Sequence, residues 1–146
     1  MKIEFIERWN ELLSMLPKGN PSDAGMEPTS WFGSYYIGPT SDAIMATLPT
    51  PVHAADYIAQ QHDLEYQELG LNGISGTFSP ESKEADARLI NRCNRLITMY
   101  DQGQHDYQGF AITEEAYVAA KFMREYFIVE ETLSDFMTNY QILDKK

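Results

Sequence analysis

The sequence predicts a mainly α-helical protein, built as a single domain over residues 1–146. Three observations predict it. Apolar residues recur every three or four positions in four separate stretches. Clusters of proline and glycine lie between those stretches and supply their ends. No strand pattern stands out, and only residues 71–79 suggest a short hairpin. Apolar residues make up 43% of the 146, enough to bury a core.

The first helix is expected over 3–16, where Phe5, Ile6, Trp9, Leu12, Leu13 and Leu16 share a face and Pro17, Gly19 and Pro21 end it. Residues 21–51 then hold five prolines, with Gly33, Ser34 and Gly38 set among aromatics. An irregular stretch of that length is usually a functional loop. The second helix begins near 51–53 and runs to about Leu69, where Gly70, Asn72, Gly73 and Gly76 break it. The third comes after Ser79, a capping residue, and Pro80, which suits a first helical turn; Glu81 and Glu84 favour the same end. It continues to about Tyr100. Residues 101–109 read as a loop, and Thr113 with Glu115 opens a last helical region reaching about Leu143, with residues 132–134 a candidate break. Two helices joined by a short loop lie antiparallel, which makes the second and third a facing pair flanked by the terminal helices.

Charge narrows the partners. With 22 acidic and 11 basic residues the net charge is −11, so no nucleic-acid partner is expected and anionic surfaces are repelled on average. Cys93 is the only cysteine, which rules out an internal disulfide and leaves the fold to packing or a bound ion. No run of about 18 apolar residues exists to cross a bilayer. Glu4, Glu7 and Arg8 interrupt the start, so a signal peptide is not expected either.

Two residues are out of character with the faces they occupy. On the second helix Ala55, Ile58, Ala59, His62, Tyr66 and Leu69 form one stripe, so His62 and Tyr66 point inward one turn apart. On the third, Asp86 is the one charged member of the stripe Asp86, Leu89, Ile90, Cys93, Leu96, Ile97 and Tyr100. A carboxylate facing a core is costly unless paired or hydrogen-bonded. The antiparallel pairing offers it His62 and the Tyr66 hydroxyl. A carboxylate on one imidazole nitrogen fixes the tautomer and leaves the other nitrogen able to take a proton from water. Asp63, about 100° further round the helix, is free to serve a different centre. A tight glycine loop that offers carbonyls, together with one carboxylate, makes a set of hard oxygens suited to calcium.

At this point the residues resemble a family. His62-Asp63-Leu64-Glu65-Tyr66 looks like the HDxxY signature of phospholipase A2 enzymes. Tyr36-Ile37-Gly38-Pro39-Thr40 looks like their calcium loop, in the short form of the parvovirus capsid-type domains that lack disulfides. Phe78-Ser79-Pro80, Lys83-Glu84-Ala85-Asp86 and Leu89-Ile90 resemble the segment downstream of HDxxY in that branch, so the resemblance covers about 31–100. It implies a phospholipase A2-like fold and calcium-dependent hydrolysis of the sn-2 ester of glycerophospholipids at a membrane or micelle surface. In that scheme His62 is the general base, Asp86 orients it, and Tyr66 holds Asp86. Asp63 binds calcium with the carbonyls of Tyr36, Gly38 and Thr40, and the Gly38 amide helps to hold the oxyanion. The family's loop usually has glycine where this chain has Thr40.

Other readings stay open beside this one. A non-catalytic module that binds lipid or protein, for example as a virion component, would keep the same fold. His53, His62 and Asp63 faintly suggest a metal-dependent phosphohydrolase, a chemistry that needs more histidines than the three present. His105-Asp106 repeats the dipeptide, but Gly109 stands where the first copy has Tyr66. Residues 1–30 and 110–146 would complete the core, form a dimer surface or dock on a larger assembly. Virion, delivered effector and cytoplasm are all compatible locations.

Overall fold

The structure, a computed structural model, describes Pro28 and residues 30–38, 40–71 and 80–139, the last seven by backbone alone. The helix expected over 3–16, and all but Leu71 of the hairpin expected over 71–79, lie outside these residues. What is described is mainly helical, as the periodicity predicts.

A 3₁₀ turn at Trp31–Gly33 leads into the glycine loop, and α1 spans Asp42–Thr47 inside the stretch expected to be irregular. That short helix is a correction. Ser41 accepts the Ile44 amide through its side chain and caps it, while Leu48, in left-handed backbone at φ 48°, ends it. Six residues are too few to register as a periodic pattern.

Helix α2, Ala54–Leu69, matches its expected bounds. His53 caps it, with Nδ1 accepting the Asp56 amide at 3.1 Å, and Gly70 closes it in left-handed backbone at φ 75°. A 3₁₀ turn at Pro80–Ser82 runs into α3, Lys83–Asp101. The loop expected over 101–109 contains part of a small hairpin instead: β1, Asp106–Tyr107, pairs antiparallel with β2, Phe110–Ala111. Gln108 and Gly109 both have positive φ, 55° and 85°, the two-residue turn whose twist suits a hairpin. Phe110 stacks on Tyr57 at 4.8 Å, which gives so short a ribbon a surface to lie on.

Helix α4, Glu114–Asn139, runs without a break through 132–134. The Thr132 hydroxyl, a reason to expect an interruption, donates back to the Ile128 carbonyl at 2.9 Å and stays within the helix.

Helices α2 and α3 run antiparallel. His62 and Tyr66, late in α2, meet Asp86 at the start of α3, while Tyr57, early in α2, meets the hairpin that comes after α3. Helix α4 returns along α3: Tyr117 stacks on Tyr100 at 4.1 Å and Arg124 reaches Asn94. Between them Ile58, Leu89, Cys93, Leu96 and Phe122 are buried, and alanines at 55, 85, 116, 119 and 120 let the helices approach closely. Cys93 belongs to this core, and burial pushes its thiol up to about 12.

Candidate functional site

The three helices leave one end of their contact open. A cavity of about 620 Å³ lies there, with His62, Asp63 and Tyr66 of α2 on its floor. Helix α4 supplies one wall through Phe122, Met123, Tyr126 and Phe127, and the loop before α1 supplies the other through Trp31, Ile37, Gly38 and Thr40. The cavity is therefore mostly apolar, with a few convergent polar groups, the usual make-up of a small-molecule site.

Asp86 explains the polar floor. One of its oxygens, Oδ1, accepts from His62 Nε2 and from the Tyr66 hydroxyl, each at 2.7 Å. The other, Oδ2, accepts from the Ser82 hydroxyl at 3.2 Å. Three donors satisfy a carboxylate that is only 2% exposed, which is how a charge on the core stripe is tolerated. Burial, and then the negative charge of Asp86, raise the Tyr66 hydroxyl above its usual range, so it stays a donor. With Nε2 committed to Asp86, Nδ1 is the ring nitrogen left to take a proton. The Phe127 ring stands edge-on to the imidazole at 4.7 Å and helps to fix its plane.

The loop is built from its own hydroxyls and one buried acid. Ser30 donates to the Ile37 carbonyl, Ser34 donates to the Trp31 carbonyl at 2.6 Å, and Ser34 accepts the Ile37 amide at 3.1 Å. Asp56, fully buried in the first turn of α2, accepts the amides of Tyr35, Tyr36 and Val52. The Tyr36 side chain is pinned by its hydroxyl, which donates to the Pro49 carbonyl at 2.6 Å and accepts from Gln60. Gly38 has φ +87°, and a Cβ there would fall 2.5 Å from Cδ2 of Trp31, so both backbone and space demand glycine.

So held, the loop turns two carbonyls toward α2. The Thr40 hydroxyl lies 2.9 Å from Asp63 Oδ2, 3.3 Å from the Gly38 carbonyl oxygen and 3.4 Å from that of Tyr36. Burial pushes the Asp63 carboxyl up to about 8; the Thr40 hydrogen bond opposes this and the charge of Asp56 adds to it. A half-buried carboxylate beside two main-chain carbonyls and a hydroxyl is a hard-oxygen set that suits calcium. Thr40 departs from what the resemblance implies, because it brings its side chain to the cluster. In this loop a positive φ falls on Gly38.

The residues to which the resemblance gives a role thus gather at one place: His62, Asp86 and Tyr66 in one cluster, and Tyr36, Gly38, Thr40 and Asp63 in the next. The other candidates lie elsewhere. His53 is spent on capping α2, with its Nε2 3.4 Å from the Phe32 carbonyl, so it joins neither cluster. Among the described residues no three His, Cys, Asp or Glu side chains form a metal-holding group. His105 and Asp106 are exposed, and Asp106 accepts the Gly109 amide in the hairpin turn.

Sequence reasoning missed Asp56, Ser82 and the α4 wall. Asp56 had a signal, since it precedes Asp63 by seven residues and therefore shares its helix face. Ser82 precedes Asp86 by one turn. The α4 wall had none, because its aromatics are equally good core residues. No protein-family model, no curated protein and no solved structure matches this chain.

Proposed function

We propose that this chain is a calcium-dependent phospholipase A2 that hydrolyses the sn-2 ester of glycerophospholipids at a bilayer or micelle surface. The observation that carries the reading is the shared Asp86 oxygen: it holds His62 by Nε2 at the floor of an apolar cavity, one residue from a carboxylate in a hard-oxygen cluster. His62 Nδ1 takes the proton from water as the water oxygen bonds to the ester carbon. When the ester C–O bond breaks, the same nitrogen returns the proton to the departing glycerol oxygen, giving a fatty acid and a lysophospholipid. Asp86 holds the tautomer and offsets the imidazolium charge that develops. Tyr66 and Ser82 hold Asp86 in turn.

Asp63, the Tyr36 and Gly38 carbonyls and Thr40 would hold the calcium ion. Bound there, calcium would supply a Lewis acid to polarise the ester carbonyl. The Gly38 amide is the protein's own donor to the oxyanion, a part we take from the family resemblance. The α4 aromatics and Trp31 offer apolar surface for an acyl chain, and the antiparallel pair α2 and α3 with the loop before it supports a phospholipase A2-like reading. Among the described residues no helix is long and apolar enough to cross a membrane.

One observation favours a second reading. Thr40 stands where the family's loop has glycine, and its hydroxyl ties the loop to Asp63 through the protein's own groups. A non-catalytic lipid- or protein-binding module, docked on a larger assembly, fits that bond.

Fatty-acid release from mixed phosphatidylcholine vesicles separates the two readings, measured with calcium, with excess chelator, and for His62→Gln. Calcium-dependent sn-2 release that the variant lacks is the expected result. Folded protein that releases nothing at millimolar calcium would sink the enzyme and leave the module.

A further inference from the structure

The oxygens around Thr40 specify more than the resemblance does. The Thr40 hydroxyl has one proton, yet it faces three acceptors: Asp63 Oδ2 at 2.9 Å and the carbonyl oxygens of Gly38 and Tyr36 at 3.3 and 3.4 Å. Only the first distance falls within the usual range for a hydroxyl donor, so the two carbonyls gain little from it. Three of these oxygens, that of Asp63 and the two carbonyls, face the one hydroxyl from the α2 side and the loop side.

The distances have a second meaning. Neighbouring oxygens that share a calcium ion at about 2.4 Å, at the angles of a six- or seven-fold shell, lie roughly 2.8 to 3.4 Å from one another. All three separations from Thr40 Oγ1 fall within that range. They are too long for the hydroxyl to stand where an ion would, and right for it to stand beside one.

We infer that Thr40 supplies its side-chain hydroxyl, in place of a main-chain carbonyl, as a direct oxygen ligand to calcium alongside Tyr36, Gly38 and Asp63. The inference rests on the cation reading of the loop given above. Without the ion the hydroxyl donates its proton to Asp63; with the ion the proton turns outward and a lone pair turns in. Threonine at position 40 is then a working substitute for the family's glycine, and it makes the loop's calcium affinity depend on a side chain.

Calorimetric titration of the full chain with calcium chloride tests this directly, with no need for turnover. Thr40→Val and Thr40→Gly both remove the hydroxyl, and Thr40→Gly leaves a freer main-chain carbonyl. Both should bind calcium about tenfold more weakly or worse, in line with losses seen when the support of a metal site is removed. Thr40→Ser should stay within about threefold of the parent, since it keeps the oxygen. Thr40→Ala replaces the valine variant if that chain does not fold by circular dichroism. Parent-like or tighter binding by Thr40→Gly or Thr40→Val overturns the inference while leaving the cation site intact. No heat of binding from the parent at millimolar calcium overturns the cation site and the inference with it.

Discussion

Gly38 lies so close to Trp31 that a Cβ on the glycine would fall 2.5 Å from the indole Cδ2 and 2.6 Å from Cε3. The indole also packs edge-on against Phe122 of α4, with ring centroids 6.1 Å apart. Gly38→Ala therefore meets both a positive φ of +87° and a rigid ring. It should lower stability by about 1–3 kcal/mol and displace the carbonyl that Gly38 turns toward Asp63. Urea unfolding reads the first effect and calcium titration the second. Replacing Trp31 by alanine in the same chain should restore part of the calcium binding; no recovery would place the fault in the backbone alone.

Asp86 and Tyr66 should respond very differently to small changes. Asp86→Asn keeps the shape but offers an amide where His62 needs an acceptor, so the imidazole loses its fixed tautomer. The turnover rate should fall by about 10²–10⁴-fold. Tyr66→Phe leaves Asp86 with His62 and Ser82 as donors, and should cost about 1 kcal/mol of stability and less than tenfold in rate. Equal losses in the two variants would mean that Tyr66 does more than hold the carboxylate.

How legible each residue is in the sequence depends on how near its partners lie along the chain. His62 and Asp86 are readable because each breaks the apolar stripe of its own helix, and a local rule exposes that. The bounds of α2 are readable because Pro51 before it and Gly70 after it are local punctuation; that His53 is the cap is seen only in the structure. The hairpin at 106–111 is not, since its stability comes from Tyr57, far away in sequence. The cavity wall is not either: Phe122 and Phe127 have the spacing of core residues, and only the return of α4 along α3 brings Phe127 onto His62. Thr40 looks like a defect in the loop, because the sequence shows a side chain at a glycine position and not where its hydroxyl goes.

Phe127 should matter more to the reaction than to the fold. It is half-buried, so Phe127→Ala should cost about 1–2 kcal/mol, below the range for a fully buried phenylalanine. Its ring packs edge-on against the imidazole, and without it His62 has more freedom about its side-chain bonds. Turnover of a long-chain phosphatidylcholine should fall by about tenfold, with calcium affinity unchanged because the ring touches none of the oxygen cluster. Phe127→Leu, which keeps apolar bulk but no ring, should fall between. If both variants turn over like the parent, α4 is only packing.

Asp63 makes the metal-free protein sensitive to pH in a direction opposite to most salt-bridged acids. Its carboxyl is raised from 3.8 to about 8 by burial, so between those values the folded chain keeps a proton that the unfolded chain has released. Where the folded state binds more protons, stability falls as pH rises. In chelator, the melting temperature should therefore drop steadily from pH 5 to pH 8 and level off above that. Asp56, also raised by burial, contributes in the same direction, so the comparison that isolates Asp63 is Asp63→Asn, whose melting temperature should vary less over the same window. Calcium binds the deprotonated carboxylate, so its affinity should climb with pH until about 8. Saturating calcium should then flatten or reverse the decline in the parent and leave the asparagine variant unmoved. Parallel curves for parent and variant in chelator would show that Asp63 is already ionised at pH 5, held as a carboxylate by Thr40 and by water entering the cavity.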